Sequence, residues 1–262
     1  MSRLKISFVT PTLNSEAFFA ETLNSVHGAV PDSVEIQHIV VDGGSSDRTL
    51  DMAREYDCDV IVGEDEGLYD AMNIGIRRAA GDVVAILNSD DTLLDGTLST
   101  VAAWHRERRS EWMVGGLRWT DADGRPVADL AAPPGWLRVG AFASLGWNCI
   151  HHQASFLTRD FYDEIGEYDL TYPLAADYEL LCRALQMQPF DRIDRPLATF
   201  RRHGQNASMR GQKALIEEGR RIAAAYGPSG ALHRGAARTA LKIWLNAARP
   251  GWYLAKRRSA GA

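Results

Sequence analysis

The chain has 262 residues, of which 45% are hydrophobic and 24% charged, a composition typical of a globular protein with a sizeable core and not of a disordered one. Its net charge of −5 argues against a nucleic-acid-binding protein. Residues 1–14 lack the features of a signal peptide, and no run approaches the ~20 apolar residues needed to cross a bilayer. We therefore expect a cytoplasmic protein, peripheral at most on the inner face of the membrane.

The cysteines give little sign of a covalent or metal framework. Cys58, Cys149 and Cys182 are odd in number, widely spaced and without a CxxC pair. This pattern argues against both a disulfide framework and a structural zinc site. Reduced thiols fit a cytoplasmic protein.

Strand-like and helix-like patterns alternate through the first 120 residues. Predicted strands cover residues 6–14, 36–47, 59–67, 83–87 and 112–119. Helical spacing of apolar residues follows the first three, with Ser45 or Ser46 as an N-cap of the second helix and Gly81 as the stop of the third. A further helix is predicted over residues 175–188. This order predicts an α/β fold with a mostly parallel sheet and helices on both faces.

The predicted strands end in polar residues. Asn14, Asp42, Asp65 and Asp90 with Asp91 follow the first four strands, and ligands of parallel sheets bind at the carboxyl ends of strands. An acidic crevice there would repel an anion unless a divalent cation lay between them, and oxygen ligands select Mg²⁺ or Mn²⁺. By itself, Asp90-Asp91 also fits a solvated turn that caps the next helix.

Four segments together resemble a known family. "ISFVTPTLN", "VVDGGSSDRT", "LYDAMNIGIRRAAGD" and "AILNSDD" are similar, in order and spacing, to the donor-binding half of family 2 glycosyltransferases, which have the Rossmann-like GT-A fold. The segment from "HHQASFLTRD" to "ELLCRAL", residues 151–185, resembles the acceptor half. The resemblance implies a domain over residues 1–205, with a donor half to residue 120 and an acceptor half from residue 121.

The resemblance also implies roles for the residues that bind the donor. Pro11 and Asn14 would lie along the nucleoside, Asp42 would accept from the base, and Asp65 would lie near base and ribose. Ser89-Asp90-Asp91 resembles the DxD motif, with Asp91 expected on the metal and Asp90 on the ribose or behind the metal. Asn73 is a further donor-binding candidate, although helix-to-sheet packing explains it equally well.

The catalytic and acceptor-side residues follow from the second segment. Asp177 matches the catalytic base, which takes a proton from the acceptor hydroxyl, although many relatives carry Glu where this chain has Ala176. The alternative is a plain helix N-cap. His152 and Gln153 would lie on the acceptor side, unless they are structural. His203 is a candidate metal ligand, with Arg201 and Arg202 near phosphate, or an exposed loop histidine.

The residues and the resemblance together predict a metal-dependent, inverting hexosyltransferase. The donor would be a nucleotide sugar, with UDP favoured over GDP or dTDP, and the acceptor a glycan or lipid-linked oligosaccharide of the cell envelope. The alternative is a non-catalytic nucleotide-sugar-binding or scaffolding protein of the same fold. A Rossmann oxidoreductase is disfavoured because "TPTLN", and not GxGxxG, follows the first strand.

The C-terminal region, residues 206–262, is predicted to be a helical, basic amphipathic tail. Seven Lys or Arg and no acidic residue occur in residues 231–262. An apolar stripe runs through Ala237, Ala240, Leu241, Trp244, Leu245 and Ala248. Such a helix, with Trp252 and Tyr253 beyond it, can lie on an anionic membrane surface. The alternative is that the stripe packs on the body.

Overall fold

The computed structural model describes residues 3–63, 65–204, 211–228 and 231–248. Its strands, in chain order, are β1 (Leu4–Thr12), β2 (Val34–Asp42), β3 (Asp59–Val62), β4 (Val83–Ile86), β5 (Trp112–Thr120), β6 (Pro126–Leu130), β7 (Ser155–Thr158) and β8 (Asp191–Arg201). Its helices are α1 (Glu16–His27), α2 (Thr49–Glu55), α3 (Leu68–Arg78), α4 (Thr97–Glu107), α5 (Val139–Ala143), α6 (Arg159–Ile165), α7 (Ala176–Met187), α8 (Gln212–Tyr226) and α9 (Ala231–Ala248).

The strands form one mixed sheet with the order β3-β2-β1-β4-β7-β5-β6, and β8 pairs with β5. Strands β1 to β4 are mutually parallel, which confirms the predicted parallel sheet and brings their carboxyl ends to one edge. The fifth predicted strand lies elsewhere: β7 inserts antiparallel between β4 and β5. β5 pairs in parallel with β8, and this pairing is interrupted by register shifts.

Apolar residues on both sides of the sheet explain the helices on its two faces. Val9, Ile39 and Val84 belong to the largest buried cluster, which also contains residues of α3, α6 and α7. Their strand neighbours Phe8 and Ala85 face the other way, into a cluster with α4. The alternation follows from the period of two in a strand. β4 is buried at every residue, as the uninterrupted run predicted.

Two predicted helix signals are wrong. The second helix starts at Thr49, with Arg48 and not Ser45 or Ser46 before it; the Asp47 carboxylate accepts from the Thr49 N–H at 2.9 Å instead. The third helix ends at Arg78, before Gly81. A Cβ at Gly81 would lie 2.7 Å from the Ser7 nitrogen, so this glycine permits a close approach to β1.

The two C-terminal helices pack against the body. Helix α8 contacts α5 and α7, and α9 contacts α5. Leu241 of the predicted stripe is fully buried, and Trp244 packs against the largest core cluster. For Leu241 and Trp244, the structure therefore agrees with the alternative in which the stripe packs on the body. Trp252 and Tyr253 lie outside the described residues, and none of the described helices is long and apolar enough to cross a membrane.

Candidate active site

Asp42, predicted to contact the base, is buried at the end of β2 and serves its own loop. One carboxylate oxygen accepts from the backbone N–H groups of Gly44 (3.0 Å) and Ser45 (2.7 Å). The other accepts from the hydroxyls of Thr12 (2.8 Å) and Ser45 (2.6 Å). Four internal donors therefore replace the predicted contact, and Asp42 fixes the turn after β2.

The other donor-binding candidates of this edge differ in exposure. Pro11 is buried in β1, opposite Val41 of β2. Asn14 is exposed, with φ of 49°, and its Oδ1 accepts from the Ser46 N–H at 2.9 Å. Asp65 is partly exposed, and its Oδ2 lies 3.0 Å from the place a Cβ would take on Gly43. Asn14 and Asp65 are thus the two of these that present polar atoms to solvent.

Asn73 is not available to a donor. Its side chain is 2% exposed, its Nδ2 donates to the Tyr168 carbonyl at 3.0 Å, and its Oδ1 accepts from the Tyr168 N–H at 2.8 Å. The amide completes a backbone pair, as an extra strand residue would. Asn73 therefore has a structural role, but it ties α3 to the loop between α6 and α7 and not to the sheet.

The adjacent Asp90 and Asp91 occupy different environments. Asp91 is fully buried, and its carboxylate accepts from the Arg201 N–H (2.9 Å), Gln153 Nε2 (2.8 Å) and Asn88 Nδ2 (3.3 Å). Burial and the charge of Asp90 raise the pKa of Asp91 well above its usual range, against the effect of those three donors. Asp91 thus holds three segments together and has no free face for the predicted metal.

Asp90 is the accessible carboxylate of the pair, with 23% of its side chain exposed. Its Oδ2 lies 2.8 Å from His203 Nε2, and the His203 ring packs against Phe18 with centroids 4.8 Å apart. His203 is only 16% exposed, so it is not an exposed loop histidine. A partly open carboxylate beside an imidazole fits a divalent cation.

A buried oxygen near this pair supports the same fit. Among the described residues, Asn88 Oδ1 is buried without a hydrogen-bond donor, although its amide nitrogen is held by Asp91. A buried acceptor is costly unless a ligand or water satisfies it. Ser89 lies beside it and shares a hydrogen bond of 2.8 Å with the Ser15 hydroxyl, which joins this turn to the start of α1.

Arg201, one of the two arginines predicted to lie near phosphate, is in the interior. Arg201 is 4% exposed; its guanidinium donates to the Ala122 and Asp90 carbonyls and pairs with Glu21. Its backbone N–H holds Asp91. Arg201 is therefore part of the frame of the site, that is, of the buried residues that hold its segments together. Arg202 places its guanidinium 5.2 Å from the centroid of the Trp119 ring.

Asp177 lies at the second position of α7, after Ala175 as N-cap residue, and does not itself cap the helix. Its Oδ1 accepts from the Tyr69 hydroxyl at 3.0 Å and from the Tyr178 N–H at 2.8 Å. Oδ2 accepts from Asn148 Nδ2 at 2.8 Å and lies 3.5 Å from His152 Nδ1. The N-cap alternative is therefore wrong, and 18% of the side chain remains exposed.

These donors set the charge of Asp177. Burial alone would raise its pKa, but hydrogen bonds and charge from His152, together with bonds from Asn148 and Tyr69, hold the pKa below its usual range. Burial and the Asp177 charge raise the pKa of the Tyr69 phenol well above normal, so Tyr69 stays a donor. The structure thus keeps the Asp177 carboxylate ionised in spite of its burial.

Two adjacent residues connect the two acidic centres. His152 and Gln153 share a short 3-10 turn, His152–Ala154, before β7. His152 faces Asp177, whereas Gln153 donates to Asp91. Gln153, predicted on the acceptor side, is 5% exposed and part of the frame. From Asp90 to Asp177, each step is a covalent neighbour or a polar contact.

Sequence reasoning missed Tyr69 and Asn148. Tyr69 stands in the quoted segment "LYDAMN", and Asn148 precedes "CIHHQ", but neither motif shows that these side chains reach residue 177. No sequence pattern signals these contacts, because Tyr69 and Asn148 lie 108 and 29 residues before Asp177.

Comparisons with known proteins show the family of this chain. A family model described as "Glycosyl transferase family 2" matches residues 7–163. The chain is 32% identical over 195 residues to a PGL/p-HBAD biosynthesis glycosyltransferase of Mycobacterium bovis, with 70% of each chain covered.

Solved structures share the fold at lower identity. TarS of S. aureus in complex with UDP-GlcNAc has a TM-score of 0.64 and 20% identity, over 90% of this chain and 70% of that one. A mannosyltransferase of Pyrobaculum calidifontis in complex with GDP-Man and Mn²⁺ has a TM-score of 0.60 and 17% identity, over 100% and 76%. The chain is a member of glycosyltransferase family 2 and has the GT-A fold.

Proposed function

We propose that the protein is an inverting glycosyltransferase that moves a hexose from a nucleotide sugar to a hydroxyl of a glycan or lipid-linked acceptor. One observation carries this proposal: Asp177 is held as a carboxylate at one end of a polar path whose other end is the accessible Asp90–His203 pair. A base and a site for the leaving diphosphate are the two groups that such a transfer needs.

Asp177 is the proposed catalytic base. It takes the proton of the acceptor hydroxyl as that oxygen attacks the anomeric carbon and the bond to the nucleoside diphosphate breaks. A single displacement inverts the anomeric centre. Tyr69 and Asn148 orient the carboxylate, which leaves its exposed part for the acceptor.

Asp90 and His203 are the proposed metal ligands, in place of Asp91. Their side chains are partly exposed and lie 2.8 Å apart, whereas Asp91 is enclosed by three protein donors. When bound, Mn²⁺ or Mg²⁺ supplies positive charge to the departing diphosphate. The Mn²⁺ in the mannosyltransferase structure makes Mn²⁺ the first ion to test.

The proposed donor is a UDP-sugar first and a GDP- or dTDP-sugar second. Structures of the same fold contain UDP-GlcNAc and GDP-Man, so the fold accepts more than one base. In this chain, Asn14 and Asp65 offer exposed polar atoms at the ends of β1 and β3. They are the proposed contacts to the nucleoside.

The proposed acceptor belongs to the cell envelope. A relative is named for PGL/p-HBAD biosynthesis, and another, TarS, is named a poly(ribitol-phosphate) N-acetylglucosaminyltransferase. We place the enzyme in the cytoplasm, peripheral on the inner face of the membrane. Arg238 and Lys242 of α9 are exposed and suit an anionic surface.

Calorimetry of UDP, GDP, dTDP and CDP, each with Mn²⁺ and with EDTA, tests the donor site. We expect one nucleotide to bind only with Mn²⁺, and this binding to vanish in Asp90→Asn. The matched control is Asp95→Asn, which removes an exposed carboxylate nine residues beyond β4 and one before α4's N-terminal glycine and should bind as the wild type does.

Turnover separates the enzyme from the scaffolding alternative. Asp177→Asn should keep metal-dependent nucleotide binding and lose transfer to an alkyl glycoside panel. Nucleotide binding without any turnover in the wild type, under conditions in which donor and metal are saturating, would favour the non-catalytic alternative. No binding of any nucleotide would overturn the donor site.

A further inference from the structure

Three metal-ligand side chains converge at a place that the proposed reaction does not use. His27 is the last residue of α1, His38 lies in the middle of β2, and Cys58 immediately precedes β3. One ligand atom from each lies within 4.8 Å of the other two. His38 is four residues before Asp42, or about 13 Å back along the strand from the donor edge.

The distances are close to those of a tetrahedral zinc site. His27 Nε2 and His38 Nδ1 are 3.0 Å apart, and Cys58 Sγ is 4.0 Å from His27 Nε2. Zinc bonds of 2.0–2.1 Å to nitrogen and 2.3 Å to sulfur place ligand nitrogens about 3.3 Å apart and nitrogen and sulfur about 3.6 Å apart. Small rotations of side chains would therefore suffice.

The surroundings orient the ligands. His38 is 3% exposed, and its Nε2 lies 2.9 Å from Thr10 Oγ1, which leaves Nδ1 directed at the cluster. A hydrogen bond on the far nitrogen is the usual support of a metal-bound imidazole. His27 is flanked by the Tyr56 ring, with centroids 5.5 Å apart. Two of the three ligands thus stand on regular elements.

Charge also suits a cation. Asp57 and Asp59 flank Cys58 in the chain, and imidazole nitrogens bind zinc as neutral ligands. The same two carboxylates attract a cation, which deprotonates a coordinating thiol.

We propose that His27, His38 and Cys58 form a zinc site, with water as the fourth ligand, that links α1, β2 and the start of β3. The spacing of the cysteines does not reveal this site, because two of its three ligands are histidines. The fold supplies two histidines that lie 31 and 20 residues before Cys58, too far apart for any short motif. The site is separate from Asp90 and His203.

Titration of the full chain with Co²⁺ tests the proposal, because a thiolate ligand gives a charge-transfer band that oxygen and imidazole ligands do not. We expect a band that saturates at one equivalent in the wild type and is lost in Cys58→Ser and in His27→Ala. Cys182→Ala, a change at a buried cysteine outside the cluster, should keep the band. Asp90→Asn should keep it too, which separates this site from the proposed catalytic one.

Zinc itself provides the second readout. Zn²⁺ should raise the Tm of the EDTA-treated wild type and leave the Tm of Cys58→Ser unchanged. A folded wild type without the thiolate band would overturn the proposal, and so would an undiminished band in Cys58→Ser. Both variants are compared by far-ultraviolet circular dichroism, and His27→Ala, at the end of a helix, tests the site if Cys58→Ser fails to fold.

Discussion

Asp91 and Asp177 are two aspartates of one site in opposite electrostatic settings. Asp91 is fully buried next to the Asp90 carboxylate, and its pKa is raised. Asp177 is surrounded by side-chain donors, and its pKa is lowered in spite of burial. Asp91 holds β8, the turn after β4 and the 3-10 turn together, whereas Asp177 keeps a charged and partly exposed carboxylate. The partners of a buried carboxylate, and not its burial, decide which role it has.

Asp177→Asn tests the reactive half of this comparison and should have the largest effect. Loss of the base lowers kcat about 10²- to 10⁴-fold, and donor affinity should stay within about twofold because the nucleotide site is unchanged. Steady-state transfer and calorimetry measure the two quantities. A variant with near wild-type kcat would move the base elsewhere.

Asp91→Ala tests the structural half. Three N–H donors would lose their acceptor, which should lower the free energy of unfolding by about 3 kcal/mol. Asp90→Ala is the matched control: its carboxylate is partly exposed, so we expect a loss below about 1 kcal/mol. Urea unfolding measures both. Equal losses would contradict the division of roles within the pair.

Gly75→Ala tests how closely the frame must fit. A Cβ there would lie 2.2 Å from Val9 Cγ1, so α3 must move away from β1, at a cost of about 1–3 kcal/mol. Because Tyr69 stands on the same helix, kcat should fall as well. Gly135→Ala, where a Cβ meets nothing within 4 Å, is the control for both unfolding and turnover.

Asn148→Ala sharpens the comparison by weakening the donors of Asp177, and its effect should be the smallest. The native pKa lies below its usual range, so the base stays ionised until the pH falls below that range. Without the Asn148 bond the pKa rises, and the acid limb of the kcat profile should move to higher pH. Asn24→Ala, far from the base at an exposed contact with Tyr56, should leave the profile unchanged.

The parallel half of the sheet was predictable because each of its strands has a sequence pattern that can be recognised locally. β1, β2 and β4 are apolar runs followed by polar turns, and the structure places each within a few residues of its predicted bounds. In the rest of the sheet, β5 was predicted almost to the residue, but β6, β7 and β8 were not predicted. β7 has only four residues, and β8 begins with the charged stretch "DRIDRP", so that neither offers a clear strand period.

The candidate site divides in a similar way. The residues at strand ends and the helix start could be named from sequence, and Asp177 and His203 are both partly exposed beside polar partners. The roles of Asp42, Asn73 and Asp91 depended on donors that come from other segments, such as Thr12, Tyr168 and Arg201. Whether a side-chain oxygen already accepts a hydrogen bond within the protein depends on tertiary structure, and a sequence motif does not show it.

The 3-10 turn that holds His152 and Gln153 has a consequence for how such an enzyme diversifies. His152 lies beside Asp177, the proposed base, and the next residue, Gln153, donates to Asp91, the neighbour of the proposed metal ligand Asp90, so a single turn spans the two acidic centres. The length of the outer loops does not enter this spacing. In a chain built in this way, the outer loops can change while the spacing between Asp91 and Asp177 stays the same.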